Sequence, residues 1–263
     1  MKRWLACAGW PAAVLLLVLG GWQGACAALR IPGYILPPPG DVWRAVVGRH
    51  ENLFFAFRIT ALEAAGGFGF SVLAGVAIAL CFAQSPVVRR SFYPYTILLQ
   101  TVPIVAVAPL ILMWFGAGTR SVMLVAFIIC LFPIIANTTQ GLISVPRNLV
   151  ELFQMANASR AEVLFKLRFP HALPAFFTGL RISAGISVIG AITGELFASS
   201  NTVGRGGLGY SIIFANSQPQ TDHPFALVLT ASALGFLMFF AVVFLEWLWL
   251  HRWHESAMRA GAE

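Results

Sequence analysis

Residues 151–170 read ELFQMANASRAEVLFKLRFP, a polar and basic stretch set between two long apolar runs. Its spacing predicts two short helices. Pro146 suits a first helical position, and Leu149, Leu152, Phe153 and Ala156 recur behind it at helical spacing. Asn157 falls where that helix should stop, and asparagine is the best residue after glycine for a left-handed stop. Ser159 and Glu162 stand at the spacing of a capping box, in which hydroxyl and carboxylate satisfy each other's backbone donors at a new helix start. Val163, Leu164 and Leu167 make the apolar stripe of the second helix, and Phe169-Pro170 is expected to end it. A helix-turn-helix carrying apolar knobs beside Arg160, Lys166 and Arg168 reads as a docking loop for a partner's groove.

Around this loop the chain is built for lipid. Hydrophobic residues make up 59% and charged residues 10%, with a mean hydropathy of +0.80; a soluble domain carries about a quarter charged. The net charge of +7 does not point to nucleic acid, because the basic residues flank apolar runs instead of forming a stripe interleaved with aromatics. At about 20 apolar residues per membrane helix, an all-α, polytopic chain of about six transmembrane helices is expected. The spans run over residues 5–29, 59–83, 95–115, 122–143, 176–198 and 225–249. With the N-terminus inside, eleven of the seventeen Lys and Arg residues are cytoplasmic, among them Arg89, Arg147, Arg160, Arg168 and Arg181. Arg30, Arg44, Arg49, Arg58, Arg120 and Arg205 then fall outside, and the docking loop lies in the cytoplasm.

Lys2-Arg3, an apolar stretch and Ala25-Cys26-Ala27 mimic a cleavable secretory signal. The uncharged interval from Trp4 to Leu29 suits a retained helix better, so retention is expected. Pro37 to Pro39 should be extended, with Asp41 capping a surface helix whose Trp43 and Arg44 suit the membrane interface. Cys7, Cys26, Cys81 and Cys130 fall within expected spans without metal-site spacing and read as small apolar fillers. The division expected is 1–50 for the first helix and Pro-rich segment, 51–250 for the core with its loop at 146–174, and 251–263 for a cytoplasmic tail.

Glu63, Ala64 and Ala65 belong to TALEAAGGFGF, which is followed in order by QTVPIVAVAPLILMWFGAG, FPIIANTTQGL, ASRAEVLFKLRFPHALPAFFTGLRIS, GAITGELFAS and GLGY, all preceded by LPPPGDV. These seven segments, from Leu36 to Tyr210, resemble the permeases of binding-protein-dependent ABC importers, in the group that handles sulfonates, nitrate and thiamin precursors. The loop resembles that family's signature, E-A-A, three residues, G, nine residues, I-x-L-P, at Glu151, Leu152, Phe153, Asn157, Leu167, Phe169 and Pro170. Here larger apolar residues replace both alanines and asparagine replaces the glycine. Glu63 and the closing Arg252-Trp253-His254 lean toward the thiamin-pyrimidine-precursor and riboflavin-like branch.

The resemblance implies a type I importer permease in a bacterial inner membrane, non-catalytic, worked by a pair of cytoplasmic ATP-binding subunits and served by a periplasmic or lipid-anchored solute-binding protein. A second permease subunit, as a homodimer, is implied as well. The chain fits a dependence on a separate ATPase: no G-x-x-x-x-G-K-[ST] phosphate loop is present, and the glycine-rich Gly204 to Gly209 lacks the lysine. Glu151, Leu152, Phe153, Asn157, Ser159, Arg160, Val163, Leu164, Leu167 and Pro170 are the docking residues expected. Gly190-x-x-x-Gly194 and Ala65-x-x-x-Gly69 allow close helix approach, either between chains or within one.

Charges inside spans are costly, so Glu63 and Glu195 are pathway candidates; the alternative is pairing with Arg58 or Arg205. Gln100, Thr101 and Asn137, with Thr138, Thr139 and Gln140, are candidates for an inner gate, and Pro103, Pro109 and Pro133 for bending points. A secondary transporter or channel would want an ionisable pair near mid-span. A membrane enzyme would want converging His, Asp, Glu or Cys, but the five histidines are scattered and form no H-E-x-x-H. No catalytic residue, metal ligand or cofactor is assigned.

Overall fold

A computed structural model describes residues 2–198, 206–218 and 221–250, and among these the regular structure is all helical. The expected tail 251–263, with its Arg-Trp-His, and Arg205 lie outside the described residues. Helix α1 spans Lys2–Ala28, apolar from Ala13 to Ala28, and touches the rest through the surface helix α2 (Pro39–Gly48) and through Trp22 against Phe225. α2 starts two residues before Asp41, because Pro39 takes the first helical position, where its missing N–H costs nothing. Asp41 instead pairs with Arg44 one turn on.

Four helices are long and apolar enough to cross a membrane: α3 (His50–Gln84), α6 (Thr119–Ile143), the continuous run 160–197 that ends in α9 (Phe169–Phe197), and α11 (Asp222–Leu250). The third expected span, 95–115, is instead broken into α4 (Pro86–Thr101) and α5 (Ile104–Phe115), whose axes differ by 96°. Val102 and Pro103 are extended at the break; Pro103 lacks the N–H that would carry the ladder onward and pushes Val102 out of helical geometry. Pro109 and Pro133, by contrast, remain inside helices.

α6 is the central post, packed against α3 on one side and α9 on the other. Because lipid supplies no hydrophobic drive between helices, close contact and interhelical hydrogen bonds must hold them. A Cβ on Gly67 of α3 would stand 2.6 Å from the Ala126 Cβ of α6, and one on Gly190 of α9 would stand 2.8 Å from the Ala126 Cα. Gly190 and Gly194 thus serve packing within the chain, whereas Gly69 and Ala65 of the second small-residue motif face away from it. The Ser71 hydroxyl donates to the Phe127 carbonyl at 2.7 Å, and the Ser183 hydroxyl to the Cys130 carbonyl at 3.0 Å, tying α3 and α9 to the same post. Cys130 is buried there, while Cys81 is exposed on α3. α11 flanks α9, and Arg181 meets Glu246 across them at 3.3 Å. At the end of the bundle remote from the 147–168 loop, α2 and the short α10 (Leu208–Asn216) close over α3, α9 and α11.

Candidate functional site

The loop forms the expected helix-turn-helix. Helix α7 (Arg147–Met155) stops at Asn157, which takes φ +53°. Two bonds close the stop: the Asn157 amide donates to the Gln154 carbonyl at 2.9 Å and the Ala158 amide to the Phe153 carbonyl at 3.0 Å. That double return is the Schellman arrangement, with asparagine in the glycine position. Ser159 then starts α8 (Arg160–Glu162) with a complete capping box. The Glu162 carboxylate accepts from the Ser159 amide at 2.9 Å and from Lys166 at 2.8 Å. Lys166 and the Ser159 amide and hydroxyl hold that carboxyl down to about 2, so the cap stays ionised across the physiological range.

Two expectations for this segment are overturned. Phe169-Pro170 does not end the second helix: a π turn over Val163–Arg168 leads into α9 without a break. The Phe169 amide reaches five residues back to the Leu164 carbonyl, and the widened turn accommodates the proline that follows it. Val163 and Leu164, at 8% and 5% exposure, are turned into the chain. Leu164 packs with Ala79 and Ala83 of α3, Leu142 of α6 and Ala172 of α9. Their spacing marked an apolar stripe; which neighbour it meets depends on the continuous helix that the proline reading hid. The outward apolar surface is a different set: Leu152 at 59%, Met155 at 83% and Phe165 at 62% exposure. Glu151, Asn157, Ser159 and Arg160 are exposed beside it, and Phe153, Leu167 and Pro170 are half-buried.

The opposite end of the bundle brings together residues far apart in sequence. Glu195, two residues from the end of α9, and Thr60 of α3 are both buried. The Thr60 hydroxyl donates to Glu195 Oε1 at 2.7 Å and accepts from the Leu208 amide at 2.8 Å, while the Gly209 amide donates to Glu195 Oε2 at 2.6 Å. The first amides of α10 are therefore capped by side chains from two other helices, and a carboxylate at a helix N-terminus is favourably placed. A Cβ on Gly207 would collide with Glu195 Oε1 and lie 2.6 Å from the Thr60 hydroxyl oxygen. This explains glycine there. Glu63 is buried beside Glu195 and near Thr119, and its Oε2 has no donor among the described residues. The pairing of these acids with Arg58 is not formed: Arg58 lies over the Phe54 ring, 5.9 Å from its centre. Nothing local in the sequence announced the link between Thr60, Glu195 and Gly207, which lie far apart along the chain.

Gln100 and Thr101 are exposed at the break between α4 and α5. Asn137 is half-buried and donates to the Pro133 carbonyl at 2.8 Å. Thr138 and Thr139 are buried with hydroxyls unpartnered among the described residues, and Gln140 is exposed. The inner-gate candidates thus divide between the broken third span and α6.

Residues 71–260 match the family described as "binding-protein-dependent transport system inner membrane component". The chain belongs to this family. A probable ABC transporter permease of Haemophilus influenzae is 34% identical over 91% of this chain and 93% of its own length. The formylaminopyrimidine transport permease of Halalkalibacterium halodurans is 33% identical, over 90% and 92% respectively. The riboflavin transport system permease of Chloroflexus aurantiacus is also 33% identical, over 94% and 92%. The chain is thus a multi-pass membrane protein of the permease class. The resemblance seen in seven sequence segments extends over nearly the whole length of these relatives.

Proposed function

We propose that the chain is the translocating subunit of an ATP-driven importer, and that it passes a small organic solute handed over by a soluble binding protein. The observation that carries this reading is the outward apolar face of the 147–168 loop, Leu152, Met155 and Phe165, on a chain with no phosphate-binding loop of its own. In this reading that face docks on one of two cytoplasmic ATP-binding subunits, a second copy of the permease completes the pathway, and both termini lie on the cytoplasmic side of a bacterial inner membrane. Segment 51–250 is the working core, 1–50 a retained accessory helix and its surface segment, and 251–263 a tail. Glu63, Gln100, Thr101 and Asn137 remain the proposed pathway residues; Glu195 joins them only through its neighbour, since its own oxygens serve α10.

The substrate reading leans to a pyrimidine precursor of thiamin or a riboflavin-like compound over a sulfonate- or nitrate-type anion. The formylaminopyrimidine and riboflavin permeases match at 33% identity, the taurine permease of Escherichia coli at 30%. The test is uptake into proteoliposomes holding the permease, with its ATPase inside and its binding protein outside. Formylaminopyrimidine, riboflavin, taurine and nitrate are offered in turn. Uptake of one solute that stops without ATP, and without either partner, is the expected result. Uptake driven by an ion gradient with the ATPase left out would instead establish a secondary transporter.

A further inference from the structure

We propose that the corner between α3 and α4 binds an acidic phospholipid, with its phosphate held by Arg89, Arg160 and Arg168 and an acyl chain lying in the groove between the two helices. A cavity of about 500 Å³ opens where the α3–α4 connection meets the 147–168 loop, and those three arginines line it with no carboxylate among the lining residues. None of the three forms an ion pair among the described residues. Arg168 is fixed in place by donating to the Ala83 carbonyl at 3.0 Å, which leaves most of its five N–H donors uncommitted. Three cations held together at the edge of a low-dielectric slab strongly favour an anion between them, and planar guanidinium groups suit phosphate oxygens.

A second cavity says which anion. About 520 Å³ of space lies further along the same corner, walled by Ala77, Ile78 and Cys81 of α3 and by Phe92, Tyr95 and Leu99 of α4. The two cavities are aligned. Ala77, Cys81 and Gln84 follow one stripe of α3 at spacings of four and three, and Arg89, Phe92, Thr96 and Leu99 follow one stripe of α4. From Arg89 to Leu99 the helix rises about 15 Å, which is half the hydrocarbon thickness of a bilayer and so one leaflet. A basic pocket at the head of an apolar groove of that length has the shape and polarity of an anionic lipid. Phe92 and Tyr95, both exposed on that stripe near the arginines, are the aromatic residue types that suit a headgroup boundary. The proposal rests on the membrane placement of the chain and not on which partner its loop engages.

The test takes the permease purified with its partner subunits, stripped of lipid, and measures retention by native mass spectrometry. The probes are phosphatidylglycerol, phosphatidylcholine and inorganic phosphate. Phosphatidylglycerol should be retained over phosphatidylcholine by about ten-fold, the scale of one lost charged contact, and Arg89→Gln should abolish that preference. Ala77→Trp, which fills the groove and leaves the arginines, should weaken phosphatidylglycerol without creating a preference for phosphatidylcholine. Arg44→Gln at the far end should change nothing. Equal retention of the two lipids, or an unaltered preference in Arg89→Gln, overturns the site. So does displacement of the lipid by inorganic phosphate at comparable concentration, which would mark a soluble-anion pocket. A disulfide formed between Cys81 residues of two copies would show that a second subunit fills the groove, and would overturn it as well.

Discussion

Gly207 and Thr60 carry most of what fixes the short helix α10. The Thr60 hydroxyl is donor to Glu195 and acceptor from the Leu208 amide at once, so one atom joins α3, α9 and α10. Thr60→Val keeps the shape and removes both bonds, leaving a buried amide unpaired at a cost of about 1–3 kcal/mol. Gly207→Ala reaches the same end by another route, since its Cβ must push the Glu195 carboxylate off its donors. Hydrogen exchange at the Leu208 and Gly209 amides should quicken in both variants while α3 and α6 keep their protection; unchanged exchange would remove the capping role. At the other end, Asn157 holds φ +53°. Asn157→Gly should therefore be neutral, whereas Asn157→Val carries the left-handed penalty of about 1–2 kcal/mol plus the crowding of a branched Cβ. Thermal melting of the purified protein and ATP-dependent uptake should separate the two; equal behaviour would count against the turn.

Among the elements, the 147–168 loop was the most legible and also the most misleading. The left-handed stop and the capping box rest on contacts within five residues, so spacing alone sufficed to place them. The end of the second helix did not follow from spacing. Pro170 reads as a terminator, yet a π turn over Val163–Arg168 absorbs it, and whether a turn widens depends on what packs around it. The same blindness reversed the faces. Leu164 anchors the loop to α3, α6 and α9, and Leu164→Asp should buy no information about docking, because a charge buried there destabilises the fold itself. The expected outcome is low yield and early aggregation on heating. A well-folded Leu164→Asp protein would mean that the loop is not packed on the bundle as described.

At the scale of the whole molecule, hydropathy alone was enough to place helices along the expected runs, because a bilayer tolerates only internally satisfied backbone, but of the six spans expected four are long and apolar enough to cross a membrane, or five with the bent pair α4–α5 counted as one. What it missed was connectivity in space. Pro103 flagged a bend, but the 96° break that separates α4 from α5 needed the packed bundle to be seen. Glu63 and Glu195 read as separate charges, and only the fold sets them side by side beneath α10. The glycines of α3 and α9 explain how such distant residues meet, since they bring both helices onto α6. The most direct measurement is co-purification of the ATP-binding subunit with Met155→Asp and Phe165→Asp permeases, two exposed positions that leave the packing of Leu164 intact. Wild-type yield and melting with loss of the ATPase is the result predicted; both variants retaining the ATPase at wild-type stoichiometry would contradict it.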